Sequence, residues 1–478
     1  MVTVKRYNEV YSKIDCEPSI AMELSEKFSF YVNGYRYMPA YRNRIWNGKI
    51  NLFNRQTRLI YSGLVEEIEK FCKERDYEFI NETSVDHEYS LHEAVRDIKN
   101  MELSKDPRDY QLEAYTHAIR KSKALLLSPT ASGKSLIIYM LIRYYGERTL
   151  VIVPTINLVK QAVKHFNSYG NGIDDIHAIT AGITKQINIH TNIVITTWQS
   201  IYKQPKEWFD QFKAVMVDEV HHAKAKSLTG IMEKTVNTKY KFGFTGTLDD
   251  IQTHIMVITG LFGPVKKIVS SAQLMKEGHI APLKIKAILL EYPEHVKRLA
   301  GTYKYSDEID YIVGNKARNR FIKNLALSLK GNTLILFQFV DKHGKVLHDS
   351  LKNCGKNVYY ASGETDGDLR EEIRNIISKE DNCIFVASSG TFSTGADMPR
   401  INNVIFASPT KSKIKVLQSI GRGLRNSPGK EHCTLYDIAD DLSWKKHQNY
   451  TLIHFLARMK IYAEERFVYK LYRVKIKA

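Results

Sequence analysis

From residue 124 onward, short β-branched apolar runs alternate with longer stretches whose apolar positions recur every three or four residues. That alternation predicts a parallel sheet covered by helices. Strands are predicted at 124–128, 149–153, 192–196, 214–217 and 241–245. Between the first two, 133–145 reads as a helix with Leu136, Met140 and Leu141 on one face. The pattern breaks at the polar, Gly/Pro-marked stretch Gly278-His-Ile-Ala-Pro282 and then restarts. Further strands are predicted at 283–290, 333–337, 357–361, 383–387, 404–407 and 433–437, with helices near 315–330, 369–379 and 414–424. The fold class is therefore α/β, with two similar lobes in tandem.

The ends of the chain read differently. The first hundred residues lack strand–helix alternation and carry an aromatic-rich pattern, which predicts a separate small α+β domain. The expected division is 1–100 for that domain, 101–280 and 281–440 for the lobes, and 441–478 for a C-terminal extension. The extension reads as mostly helical, over 450–467, and ends in the basic run 470–477. It is expected to be an amphipathic helix docking on the second lobe.

With 478 residues there is room for about three cores, and 43% hydrophobic with 26% charged residues is ordinary for a globular protein. No apolar stretch approaches the ~18 residues that span a bilayer, and the opening Met-Val-Thr-Val-Lys-Arg-Tyr lacks a secretory pattern. Five scattered cysteines without a C-x-x-C pair suggest neither a zinc site nor a disulfide framework, so a reducing cytoplasm is expected. The net charge of +18 is a solubility charge or the mark of a polyanionic partner.

Its distribution favours the partner. Between Lys27 and Arg58 there are seven Lys/Arg, among them Arg36, Arg42, Arg44 and Lys49, and no Asp or Glu. Phe28, Phe30, Tyr31, Tyr35, Tyr37, Tyr41, Trp46 and Phe53 are interleaved. Cations with aromatics suit phosphate contact and base stacking; the blander reading makes the aromatics a core and leaves only the charges outside. We expect a mixture of the two.

Chemistry concentrates in four short segments. Ser128, Pro129, Thr130, Ala131, Ser132, Gly133, Lys134 and Ser135 occupy a strand-to-helix turn, the context of a phosphate-binding loop. Gly133 lets backbone approach a polyphosphate, Lys134 would reach its β- and γ-groups, and the Ser135 hydroxyl would bind Mg²⁺. A Gly-Lys-Ser tripeptide alone is weak evidence; the flanking strand and helix strengthen it. Asp218 and Glu219 follow the apolar run 214–217, which puts two carboxylates at a strand's C-terminal end. Asp218 suits a metal-holding acid and Glu219 a water-orienting base, against the blander reading of a solvated acidic loop. His221 either couples this site to another part or merely packs. Gln418, Arg422 and Arg425 recur at helical spacing on one face; arginines there would stabilise charge on a γ-phosphate, or else simply meet solvent. Thr394, Gly395 and Asp397 form the fourth segment.

In that order the segments resemble the superfamily 2 helicases of the DExH type, over roughly residues 105–440. The resemblance implies two RecA-like lobes with ATP and Mg²⁺ between them and a nucleic-acid strand across their tops. It implies that Arg108 and Gln111 read adenine, and that Pro154 and Thr155, with Leu158, and the segment Thr196-Thr197-Trp198-Gln199-Ser200 contact the strand. Thr245-Gly246-Thr247 would couple hydrolysis to movement, while Thr394, Gly395 and Asp397 would touch backbone phosphate and ribose. Two departures, Ser128 for the usual first glycine and Thr-Gly-Thr for Ser-Ala-Thr, keep short hydroxyls and glycines in place. His221 stands where the DEAD-box group has Asp.

A narrower resemblance rests on Tyr31-Val-Asn-Gly-Tyr-Arg-Tyr, Trp46-Asn-Gly-Lys-Ile, Gln204-Pro-Lys-Glu-Trp-Phe and Lys411-Ser-Lys-Ile. These are similar to the recombination helicases of T-even bacteriophages, over nearly the whole chain. That implies a monomeric enzyme of the host cytoplasm remodelling branched, forked or single-stranded DNA, and RNA held in R-loops. Branch migration, fork regression and removal of D-loops or R-loops are the implied reactions. On the residues alone an RNA helicase, a nucleotide-switched binding module and a restriction-enzyme motor stay open, though no nuclease constellation is evident.

Overall fold

The structure, a computed structural model, describes residues 1–83, 86–170, 176–180, 191–221, 226–248, 251–390, 400–410, 412, 416–417, 419–421 and 430–477. At its start β1 (Val2–Arg6) and β2 (Tyr11–Cys16) form an antiparallel pair, and β3 (Ser29–Tyr31) and β4 (Lys49–Asn51) form a separate hairpin. Then come β5 (Phe53–Asn54), β6 (Leu59–Tyr61) and β7 (Phe79–Asn81), giving a sheet of order β5-β6-β2-β1-β7. Only the β1–β7 pair in it is parallel. The helices Pro18–Lys27 and Val65–Glu74 bury Leu24, Ile68 and Phe71. This is the expected α+β domain.

Buried runs build the rest. β8 (Lys123–Leu127), β9 (Thr149–Val153), β10 (Ile176–Ile179), β11 (Ile193–Thr197), β12 (Ala214–Asp218), β13 (Tyr240–Thr245) and β14 (Val265–Lys267) form a parallel sheet of order β10-β11-β9-β12-β13-β8-β14. Every residue of β9 and β11 is buried, as expected of a sheet covered on both faces. A second parallel sheet, of order β17-β18-β16-β19-β20-β15-β21, contains β15 (Leu283–Glu291), β16 (Asn332–Phe337), β17 (Val358–Ala361), β18 (Ile384–Ser388), β19 (Ile401–Phe406), β20 (Cys433–Asp441) and β21 (Tyr469–Lys475).

The chain divides into two compact units, Met1–Ser128 with Gly133–Val269, and Ser270–Ala478 with the short stretch Pro129–Ser132. The α+β domain shares its unit with the first parallel sheet. One apolar cluster runs from Val4, Ile14 and Phe28 through Leu64 to Leu125, Val217 and Phe262. A polar pin crosses the same boundary. The Glu9 carbonyl accepts from Lys123 Nζ (3.0 Å) and Lys241 Nζ (2.9 Å), and its carboxylate lies 2.9 Å from Lys123 and also pairs with Arg6. Burial pushes the Lys123 ammonium down to about 8 and Lys241 well below its ordinary value.

The C-terminal residues correct one expectation. The helix Tyr450–Glu464 forms, but the basic run after it is the edge strand β21, parallel to β15 from Ile285–Tyr469 to Glu291–Lys475. The helix is anchored within its own unit. Arg458 makes a bidentate pair with Asp437 (2.8 and 2.9 Å) and donates to the Thr410 carbonyl (2.7 Å). Glu308 accepts from the amides of Tyr450 and Thr451 at the helix start, 2.9 and 2.7 Å away, so a distant carboxylate caps it.

Among the described residues no helix is long and apolar enough to cross a membrane.

Candidate functional site

All strands of the first sheet are parallel, so their C-terminal ends share one edge. β8 ends in the stretch 128–133 and the helix Lys134–Tyr145 follows it. Ala131 and Gly133 hold positive φ (67° and 80°), which coils the backbone into a tight turn ahead of the helix. A Cβ on Gly133 would displace the Gln111 side-chain amide, which adds to the backbone's preference for glycine there. The Ser128 amide donates to the Thr245 carbonyl (2.9 Å), fastening the start of the loop to β13. Gln111 is buried and bridges: its Oε1 accepts from the Arg108 amide (2.9 Å) and its Nε2 donates to the Gly133 carbonyl (3.4 Å). Arg108 occupies the N-cap position of its helix, and its guanidinium donates to the Tyr110 hydroxyl (2.6 Å). Of the two residues expected at adenine, Gln111 thus stands against the 128–133 turn and Arg108 reaches it through Gln111.

Two strands over from β8, β12 delivers the acids. Lys134 Nζ donates to the Ser128 carbonyl (3.2 Å) and lies 3.8 Å from Glu219 Oε1. Glu219 has φ 53°, a left-handed conformation costly for a side chain of its size and frequent at functional sites. Its amide donates to Asp218 Oδ1 (2.9 Å). Burial, then the neighbouring Glu219 charge, pushes the Asp218 carboxyl up to about 6. A carboxylate held at that cost is suited to a cation. His221 Nδ1 is 3.2 Å from Glu219 Oε2 and 2.8 Å from Thr245 Oγ1, which itself donates to the Thr247 carbonyl (2.8 Å). His221 therefore links the acids to the Thr-Gly-Thr turn. The sequence left its role open, because that contact spans 24 residues and no local pattern announces it.

On the other side of β12 lie β9 and β11. In register Thr197 faces Val153, which sets Pro154 and Thr155 beside Thr197 and Trp198. Pro154 and Thr197 are buried, and the Thr197 hydroxyl is 3.0 Å from that of Ser200. Thr155 caps its helix by accepting from the Leu158 amide (3.4 Å). Along the edge the order is thus Thr197, Pro154, Asp218, Thr245 and Ser128.

In the α+β domain, Phe28 and Phe53 are core, Tyr35, Tyr41 and Trp46 are partly buried, and Tyr31 and Tyr37 are exposed. Arg36, Arg42 and Arg44 are exposed and Lys49 is partly so. Ser135 lies in the first turn of its helix. Gln418, Arg422, Arg425, Thr394, Gly395 and Asp397 lie outside the described residues.

A phosphate loop and paired acids on one edge of a parallel sheet, with a second parallel α/β unit following in the chain, define the class of two-lobed P-loop motor ATPases. Three family models match. "DNA helicase UvsW, N-terminal" covers residues 2–82, "Type III restriction enzyme, res subunit" covers 104–250, and "Helicase conserved C-terminal domain" covers 317–427. The ATP-dependent DNA helicase UvsW of Enterobacteria phage T4 is 36% identical over 97% of each chain. The DNA 3'-5' translocase XPB2 of Sulfurisphaera tokodaii is 25% identical over 73% of this chain and 86% of that one. The crystal structure of T4 UvsW superposes with TM-score 0.53 and 34% identity, covering 99% of each chain. The chain belongs to the UvsW family of superfamily 2 helicases.

Proposed function

We propose that this ATP-dependent DNA helicase remodels branched DNA by branch migration, fork regression and unwinding of D-loops or R-loops. The observation that carries the reading is the single sheet edge on which Lys134, Glu219 and Asp218 stand next to the segments at Pro154 and Thr197. Hydrolysis on that edge is one strand away from a polymer contact. The relatives named above supply the polymer: both are described as acting on DNA.

In this mechanism the backbone of 128–133 and Lys134 hold the β- and γ-phosphates. Asp218 and Ser135 would hold Mg²⁺, which supplies charge neutralisation to the polyphosphate. Asp218, a half-buried acid whose ionisation is costly, and Ser135, a hydroxyl in the helix's first turn, fit such a cation. Glu219 orients the attacking water and takes its proton, with His221 steadying the carboxylate and passing its position to Thr245. Arg422 and Arg425 stabilise charge on the γ-phosphate, Gln418 senses it, and Gly395 and Asp397 meet the ribose. Thr155, Trp198 and Thr394 grip the strand, and Arg36, Arg42, Arg44 and Lys49 add phosphate contacts.

The test is ATP hydrolysis measured with single-stranded, duplex, forked and four-way-junction DNA and with RNA of equal length. Forked and four-way DNA should stimulate most. Stronger stimulation by RNA, or none by any DNA, would reject the reading.

A further inference from the structure

The hairpin β3–β4 carries a protruding segment, 32–48, with features that phosphate contact does not explain. An open cleft of about 800 Å³ is bounded there by Arg36, Tyr41, Arg42, Arg44, Ile45 and Trp46. Among the described residues no acidic one borders it. Ile45 is 79% exposed, a β-branched apolar side chain left in water among three arginines. Isolated exposed apolar residues are common; this one sits at the lip of a cleft whose aromatic wall is Tyr41 and Trp46, with Tyr31 and Tyr35 packed behind Tyr41. Tyr35 stacks on Tyr31 (4.6 Å between centroids) and meets Tyr41 edge-on (4.7 Å).

The wall is fixed in advance. Arg44 holds φ 57°, a left-handed conformation that a long side chain rarely adopts. The turn around it is closed by backbone bonds from the Ile45 and Trp46 amides to the Ala40 carbonyl (2.9 and 3.2 Å). Trp46 Nε1 donates to the Lys49 carbonyl (2.8 Å), so the indole is tied to β4. At its base the hairpin is held to the first lobe, where Thr253 Oγ1 donates to the Tyr31 carbonyl (3.3 Å). A preorganised cleft with apolar walls and a cationic rim matches one chemical object: a base with an uncovered face, attached to phosphates. Within a duplex both faces of each base are covered by neighbours. An uncovered face occurs where the stack ends.

We propose that this cleft is a subsite for a single unpaired nucleotide at a duplex branch point, with Ile45 and the aromatic wall against the base and Arg36, Arg42 and Arg44 on the flanking phosphates. The inference rests on the DNA reading above and goes beyond it by assigning junction recognition, rather than general affinity, to one side chain.

The experiment uses the full chain and two DNAs of equal length, a blunt duplex and a fork with one unpaired 2-aminopurine at the branch. The wild type should bind the fork more tightly and change the 2-aminopurine fluorescence. Ile45→Ser, at an exposed position, should reduce the fork-to-duplex preference about tenfold, the scale for losing the apolar contact of one buried aliphatic side chain. Its duplex affinity and salt dependence should be unchanged. Arg44→Gln should instead weaken both DNAs alike and lower the salt slope by about one. If Ile45→Ser keeps the full fork preference and the fluorescence change, the subsite is refuted while the DNA reading stands. If the wild type binds neither DNA, the underlying reading has failed and the subsite falls with it.

Discussion

Asp218 makes the first unit less stable than it could be, and Asp218→Asn should reveal by how much. Burial and the adjacent Glu219 push its carboxyl from 3.8 to about 6. A shift of that size corresponds to about 3 kcal/mol at ~1.4 kcal/mol per pH unit. Asp218 is only half-buried at the end of β12, so we take ~2 kcal/mol. Because the folded-state value is raised, the folded chain binds more protons than the unfolded chain between about pH 4 and 6. Stability therefore falls as pH rises through that window and stays reduced above it. Asparagine keeps the oxygen that accepts from the Glu219 amide and carries no charge to penalise. The variant should be more stable than wild type by ~2 kcal/mol at pH 8, with the gain vanishing near pH 4, while hydrolysis collapses. Urea unfolding followed by tryptophan fluorescence is suitable, since Trp46, Trp198 and Trp208 all lie in the first unit. A variant destabilised at pH 8, or one whose gain is the same at pH 4, would refute the reasoning.

Glu219→Gln should bind ATP almost normally and hydrolyse it slower by a factor on the order of 10² or more; unchanged turnover would remove Glu219 from the role of base. Glu9→Ala leaves Lys123 without its carboxylate partner in a buried setting, and chemical denaturation should show a loss of about 3 kcal/mol. A loss below ~1 kcal/mol would mean that the Glu9 carbonyl and the shared core hold the α+β domain unaided. Replacing Arg36, Arg42, Arg44 and Lys49 together with Ala should weaken DNA binding at physiological salt and flatten the log–log salt dependence, by about 0.9 per lost phosphate contact on duplex. Hydrolysis at saturating DNA should survive, and a folded variant with the wild-type slope would make the segment scaffold.

The parallel sheets were legible because interior strands have no polar face to confuse the pattern. β9, Thr-Leu-Val-Ile-Val, and β16, Asn-Thr-Leu-Ile-Leu-Phe, are buried at every position. The strands that escaped are β10, β14 and β21, and each is at the edge of its sheet. All of β14, Val-Lys-Lys, is exposed, and β21 mixes Lys and Arg with Tyr and Leu, so both read as solvated chain. The positions of the 128–133 turn and of Asp218 and Glu219 at strand ends were legible for a related reason: each directly follows a buried run. What the residues could not show is contact across distance. The His221–Thr245 bond, the Glu9 pin and the capping of Tyr450–Glu464 by Glu308 all join residues that only the fold brings together. In the basic segment the composition was plain, but which aromatics are core and which meet solvent was decided by the hairpin.

The second sheet has a temporal consequence. β15 lies between β20 and β21, and Ile285 pairs with Tyr469, a residue made 184 positions later. During synthesis β15 emerges with neither neighbour in existence, while the strands of the first sheet are all complete by Lys267. The first unit can therefore acquire its core on the ribosome. β15, with Ile285, Ala287 and Leu289 destined for burial, must wait as an unpaired apolar strand until its first neighbour β20 is made, Cys433 following its partner Leu283 by 150 residues. That interval is the period in which the nascent chain is most exposed to aggregation and most in need of a chaperone.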